Sequence, residues 1–90
     1  MKTEFTNPFD KDVDKILNEV LIEKIEQAIV SVEEAQTPHD IPDLKKLKGY
    51  KKGIYYRIKV GRYRIGVIIE HDMVTFDRCL PRKDFYKHFP

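Results

Sequence analysis

The hydrophobic periodicity of this chain changes once, near its middle, and that change restricts the folds available to it. Between residues 9 and 35 the apolar residues recur at spacings of three and four, which is the period of an amphipathic helix. From residue 55 onward apolar and polar residues alternate, as in a β-strand with one buried face. A helical first half and a stranded second half predict an α+β fold, with helices on one face of a mainly antiparallel sheet.

The helical half contains signals for where its helices begin, divide and end. Asn7 is the predicted N-cap, with Pro8 at the first helical position. A single helix over residues 9–35 would be unusually long for so small a domain, so we expect Asn18 to divide it into a helical hairpin with an acidic outer face. Thr37 and the proline after it are predicted to end the helical half. Residues 2–6 are expected to form a short strand.

The second half predicts a sheet of three or four strands, counting the one at residues 2–6. Its own strands are predicted at residues 55–60, 63–69 and 73–80. Arg57 and Lys59 alternate with apolar residues, so we expect them on the sheet face that the helices leave open. Alternation alone does not decide the direction of Arg78. Residues 82–90 are predicted to form a short terminal segment. Four apolar residues are core candidates: Leu47, Ile58, Ile65 and Val67.

Length and composition place the chain in a broad class. Residues 1–90 are enough for one domain around one core. Cys79 is the single cysteine, so it cannot form an internal disulfide and is interpreted as a small core residue. No apolar run is long enough to span a bilayer and no leader is apparent, so the sequence predicts a soluble cytoplasmic protein without a membrane partner.

The charge is divided along the chain as sharply as the periodicity. Residues 1–44 carry four lysines against eleven carboxylates, whereas residues 45–90 carry thirteen Lys and Arg against four. From Lys45 to Arg64 there are nine cationic side chains, four tyrosines and no carboxylate. A basic, tyrosine-containing segment in a small domain favours a polyanion partner, most often nucleic acid.

The residue types and motifs of the chain restrict the reactions that it could catalyse. The chain has no Gly-rich phosphate loop, no HExxH and no histidines at zinc-ligand spacing. Clustered Arg, Lys and Tyr can nevertheless cleave RNA through attack by its own 2′-hydroxyl. That reaction needs a base, cations on the phosphorane and an acid for the 5′-oxygen. A tyrosine acts as the base only where neighbouring cations lower its pKa from about 10. Many RNA-binding sheets also mix Arg and Tyr, so binding without cleavage is an open alternative.

Four segments together resemble the RelE/ParE toxins of bacterial toxin–antitoxin modules, and the resemblance covers nearly the whole chain. They are Leu47-Lys48-Gly49, Tyr56-Arg57-Ile58-Lys59-Val60, Tyr63-Arg64-Ile65 and Arg82-Lys83-Asp84-Phe85-Tyr86. The resemblance implies a RelE-like domain that binds the ribosomal A site and cuts mRNA there without a metal or other cofactor.

The resemblance also implies roles for particular residues. Arg64 corresponds to the arginine that stabilises the transition-state phosphate. Arg82 corresponds to the arginine assigned to phosphate binding or leaving-group protonation, and Tyr86 to the proposed base. The residues expected to bind RNA are Arg57, Lys59, Lys48, Lys83 and Tyr55.

Partners and alternatives follow from the same resemblance. Toxins of this kind are neutralised by a small cognate antitoxin, and contact with DNA would occur only through that antitoxin. A second reading is a ParE-like inhibitor of DNA gyrase on the same fold, although that branch generally lacks the Arg/Tyr set. A third is a non-catalytic RNA-binding protein, including a decayed toxin.

Overall fold

The computed structural model describes residues 1–90 and confirms the α+β class. In chain order the elements are β1 (Lys2–Phe5), α1 (Asn7–Asp14), α2 (Glu19–Glu34), a 3₁₀ turn (Pro38–Asp40), β2 (Leu44–Lys46), β3 (Tyr55–Val60), β4 (Tyr63–Glu70), β5 (Met73–Pro81) and α3 (Arg82–His88). None of the helices is long and apolar enough to cross a membrane.

The five strands form one sheet in the order β1-β5-β4-β3-β2. All neighbouring pairs are antiparallel except β1 and β5, which run parallel with Lys2 opposite Met73 and Phe5 opposite Phe76. The sheet therefore has five strands instead of the predicted three or four. The additional strand is β2, whose three residues are too few to show an alternating pattern in the sequence.

The first two helices begin at capping side chains. Thr6, not Asn7, caps α1: its Oγ1 accepts a hydrogen bond from the amide of Phe9 at 3.2 Å and donates one to the carbonyl of Asp77 at 3.0 Å. The predicted Asn7 cap is wrong because the preceding hydroxyl satisfies the helix end and joins it to β5. Asn18 caps α2 through a 3.1 Å bond from the amide of Leu21, which confirms the predicted division.

The main core lies between α1, α2 and one face of the sheet. Its buried apolar residues include Phe9, Ile25, Val32, Ile58, Ile65, Val67, Val74, Phe76 and Cys79. Three of the four predicted core residues belong to this cluster. Leu47 does not, since it is only half-buried in the connection after β2.

The opposite sheet face is not left open as expected, because α3 packs on it. Phe85 and Phe89 from the C-terminal segment are fully buried there. Phe89 lies directly over Gly66, which faces away from the core because its neighbours in β4 face into it. The segment at residues 82–90 is thus mostly helical. Its two phenylalanines are four residues apart, with Phe85 inside the helix and Phe89 directly after its last residue, a spacing that the sequence analysis did not use.

A partly buried ion pair joins α1 to β5. The Asp12 carboxylate is nearly inaccessible, so the expected acidic outer face of the helices is wrong at this position. It accepts hydrogen bonds from Nε of Arg78 at 2.8 Å, from Nη2 at 3.1 Å and from the amide of Cys79 at 2.9 Å. The bond to Asp12 raises the pKa of Arg78. Arg78 therefore points toward α1, which answers the question that alternation left open.

Cys79 provides a test of the core. Burial, reinforced by the negative charge of Asp12, raises the pKa of its thiol to about 12. Because the thiolate is the reactive form, we expect no modification by a disulfide reagent at pH 8–9 in the folded protein and complete modification in guanidinium. A Cys79→Ser variant, which has no thiol, gives the background signal of the reagent. Rapid stoichiometric labelling of the folded chain would show that the core is wrongly placed.

Candidate functional site

A concave surface of about 700 Å³ lies at the end of the sheet where the β3–β4 turn meets the start of α3. We call it the basic cleft. It is lined by Lys59, Gly61, Arg62, Arg64, Pro81, Arg82, Lys83 and Tyr86. Five of these side chains are cationic and none is acidic, so the cleft has a strong positive potential.

Arg64 is the rigid member of the basic cleft. It is 7% exposed, and its Nη1 donates hydrogen bonds to the carbonyls of Gly61 and Tyr63, both at 2.9 Å. Gly61 has φ +57°, which the turn requires and which glycine adopts without strain. Arg64 makes no ion pair, and no buried side-chain nitrogen of the protein lacks a partner. Its remaining N–H groups are therefore accessible to a ligand.

The helix α3 adds two predicted catalytic residues to the same cleft. Arg82 and Tyr86 are four residues apart, so they lie on one side of α3. The amide of Arg82 donates a 2.8 Å hydrogen bond to the carbonyl of Arg62, which ties the first turn of α3 to the β3–β4 turn. Tyr86 is 57% exposed and packs edge-on against Phe85, with ring centroids 4.9 Å apart. Its hydroxyl can reach a bound ligand.

Two of the five predicted RNA-binding residues, Lys59 and Lys83, line the basic cleft with this set. The other three lie outside it. Arg57 donates through Nη1 to the carbonyl of Asp43 at 2.9 Å, and Lys48 is exposed in the β2–β3 connection. Tyr55 is half-buried between the rings of Tyr50 and Phe89, and its role in RNA binding stays a prediction.

Arg62 is a cleft residue that the sequence analysis did not single out. It occupies the turn between β3 and β4. Its position in the sequence could have indicated a place in the cleft, because a side chain in that turn lies beside the first residues of β4 and beside the end of β5.

The arrangement suits a phosphodiester more than any other common ligand. A fixed guanidinium offers paired N–H donors to phosphate oxygens, and four exposed cations can follow a nucleic-acid backbone. Tyr86 adds one group able to accept or donate a proton. No cluster of three His, Cys, Asp or Glu side chains suited to a metal ion occurs in the structure.

Comparison with known proteins identifies the family. No protein-family model matches the chain. It is, however, 37% identical over 91 residues to toxin RelE3 of Methanocaldococcus jannaschii, and the alignment covers 100% of both proteins. The chain belongs to the RelE toxin family. The resemblance seen in the sequence is thereby confirmed.

Solved structures agree with this RelE-family assignment. The RelB–RelE antitoxin–toxin complex from Methanococcus jannaschii contains a chain with a TM-score of 0.79 and 34% identity, covering 97% of this chain and 99% of that one. The archaeal RelE–RelB complex from Pyrococcus horikoshii gives a TM-score of 0.71 at 18% identity, with 90% and 93% covered, which shows the same fold.

Proposed function

We propose that this RelE-family chain is the toxin of a type II toxin–antitoxin module and that it cleaves mRNA in the ribosomal A site. The observation that carries the proposal is the convergence of Arg64, Arg82 and Tyr86 in the basic cleft. These residues come from the start of β4 and from two turns of α3, and no carboxylate lines the cleft beside them. That is the residue set that cleavage by the RNA 2′-hydroxyl needs.

In the proposed mechanism the phenolate form of Tyr86 accepts the proton of the 2′-hydroxyl. The 2′-oxygen then forms a bond to phosphorus and the bond from phosphorus to the 5′-oxygen breaks, which leaves a 2′,3′-cyclic phosphate and a 5′-hydroxyl. Arg64 holds the two phosphoryl oxygens as negative charge develops on the phosphorane, since its guanidinium is fixed before the substrate arrives. Arg82 either protonates the leaving 5′-oxygen or binds the same phosphate while water supplies that proton. Tyr86 releases the proton that it accepted to water after the bond breaks.

The remaining cations position the substrate. Lys59, Arg62 and Lys83 flank the reacting group and would contact neighbouring phosphates. Each such contact on a single strand contributes about 0.7 to the slope of log affinity against log salt concentration.

The proposed partner is an antitoxin with an acidic segment. The two structures described above are complexes of RelE with RelB, which supports a protein partner for this chain as well. A segment rich in carboxylates that covers the basic cleft would neutralise five cations and occupy the position of RNA.

The decisive experiment follows messenger integrity in cells and with purified ribosomes. Wild type, Arg82→Ala and Tyr86→Phe are expressed without antitoxin, and 5′ ends are mapped by primer extension. We expect new ends inside translated codons with wild type, and at least a 100-fold lower cleavage rate in each variant. Lys51→Ala, an exposed lysine outside the basic cleft, is the matched control and should cleave normally.

Further results of the same experiment test the separate parts of the proposal. Products that carry a 2′,3′-cyclic phosphate and a 5′-hydroxyl support attack by the RNA 2′-hydroxyl, and cleavage of free RNA at the same rate would contradict ribosome dependence. Growth arrest with intact messengers and damaged DNA would instead indicate gyrase as the target. Intact messengers without growth arrest would indicate a non-catalytic relative.

A further inference from the structure

The two ends of α3 are held by different interactions. At its first residue, α3 continues directly from β5 and the amide of Arg82 is bonded to the carbonyl of Arg62. At its far end the helix is held against the sheet by the buried rings of Phe85 and Phe89. Tyr86 lies between these ends and is itself largely exposed, so its own contacts do little to fix it.

Phe89 occupies a closely fitted site. A Cβ atom placed on Gly66 would lie 2.6 Å from Cγ of Phe89 and within 2.8 Å of both Cδ atoms, closer than atoms in real proteins approach. The ring also stacks on Phe85 at 5.3 Å between centroids and meets the edge of Tyr55 at 6.0 Å. Only a glycine at position 66 lets the ring sit this close to β4.

We propose that the contact between Gly66 and Phe89 fixes the orientation of α3 and thereby positions Tyr86 in the basic cleft. The inference rests on the proposed function, and it makes Phe89 a positioning residue because its ring lines no part of the cleft. Tyr86 is three residues from Phe89 and packs on Phe85, the neighbour of Phe89 in the stack. Arg82 is bonded independently at the other end of α3, so it depends less on this contact.

Loss of the contact between Gly66 and Phe89 should therefore affect the cleavage rate more than RNA binding. Three of the five cleft cations, Lys59, Arg62 and Arg64, belong to β3, β4 and their turn. They stay in place when α3 loosens, so RNA affinity should change little. The rate constant for cleavage should fall, because displacement of a reacting group by about 1 Å costs as much as 100-fold in rate.

The test uses Phe89→Ala, Phe89→Leu, Gly66→Ala and the double variant Gly66→Ala/Phe89→Ala. We expect kcat to fall by about 10- to 100-fold in Phe89→Ala and in Gly66→Ala, with KM and RNA affinity within about twofold of wild type. Phe89→Leu keeps an apolar side chain in the site and should recover part of the rate. The double variant should be no slower than Phe89→Ala, because the added methyl then has no ring to displace.

A control separates positioning from general loss of stability. Val32→Ala creates a cavity in the main core, on α2 and on the other side of the sheet from Phe89. It should lower the melting temperature while kcat stays normal below that temperature. If Val32→Ala and Phe89→Ala reduce kcat equally at equal stability, the positioning role is wrong.

NMR measurements test the contact without any cleavage assay. In wild type the ring current of Phe89 should shift the Gly66 Hα resonances upfield, and the amides of residues 85–88 should resist hydrogen exchange. In Phe89→Ala both features should be lost while the amides of β4 stay protected. Retained protection of α3 in that variant would overturn the inference. If the wild-type chain cleaves no RNA but Phe89→Ala shows these changes, the proposed function is refuted while the anchoring of α3 by Phe89 still holds.

Discussion

An Arg64→Ala variant is expected to cleave ribosome-bound mRNA about 100- to 1,000-fold more slowly than the wild-type chain. The same change should lower the free energy of unfolding by about 1.5–3 kcal/mol, because two backbone carbonyls lose a charged hydrogen-bond donor. The two effects have separate origins. In the proposed mechanism the accessible N–H groups act on the phosphate, whereas Nη1 donates hydrogen bonds to the carbonyls of Gly61 and Tyr63.

Two further variants separate these effects. Arg64→Lys keeps the positive charge but cannot contact both carbonyls and a phosphate at once, so kcat should stay low while RNA affinity is largely retained. Arg62→Ala removes a cleft arginine whose side chain makes no hydrogen bond within the protein. It should weaken RNA binding and reduce the slope of log affinity against log salt concentration by about 0.7, while the free energy of unfolding stays unchanged. Single-turnover cleavage and urea unfolding supply the measurements, and a larger loss of kcat in Arg62→Ala than in Arg64→Ala would reverse the assignment.

Removal of the Asp12 carboxylate should produce the largest loss of stability among single substitutions outside the apolar core. We expect Asp12→Ala to lower the free energy of unfolding by about 3 kcal/mol, because Arg78 and the amide of Cys79 both lose their partner. The side chain of Arg78 is 25% exposed, so water compensates part of its lost bond and the effect stays below that of a fully buried pair.

Urea denaturation measures this effect, with Asp14→Ala as the control. Asp14 is an exposed carboxylate on the same helix, and its removal should change stability by less than about 0.5 kcal/mol. Adding Arg78→Met to Asp12→Ala should restore part of the loss, since no unpaired charge then remains. Equal stability of Asp12→Ala and Asp14→Ala would mean that the pair contributes nothing to the fold.

The sequence predicted those features that depend on local pattern. The helical period, the polar interruption at Asn18 and the alternation in β3 and β4 all express burial of one face, so each was recognisable without the tertiary structure. The resemblance to RelE/ParE toxins supplied Arg64, Arg82 and Tyr86, and the structure brings all three into one cleft. Their catalytic roles stay predictions.

The features that the sequence did not predict depend on contacts between distant residues. In the sequence, Asp12 cannot be distinguished from the solvent-facing carboxylates of the helices. Its burial is explained only by Arg78, which is 66 residues away in the chain and bonded to it in the fold. In the sequence, Gly66 is only a residue that weakens a strand. The structure shows why a glycine is needed there, because Phe89 packs against it. Arg62 shows its relation to the cleft only when the β3–β4 turn and α3 are adjacent in space.

The parallel pairing of β1 with β5 has a consequence for the order of events during synthesis. The two strands are separated by most of the chain, so β1 has no partner until residues 73–76 have left the translating ribosome. Arg82 and Tyr86 are translated after that pairing segment. A nascent chain therefore cannot complete the sheet, or the basic cleft at its end, before residues 82–86 have left the ribosome, so the cationic surface is assembled only after the segments that support it.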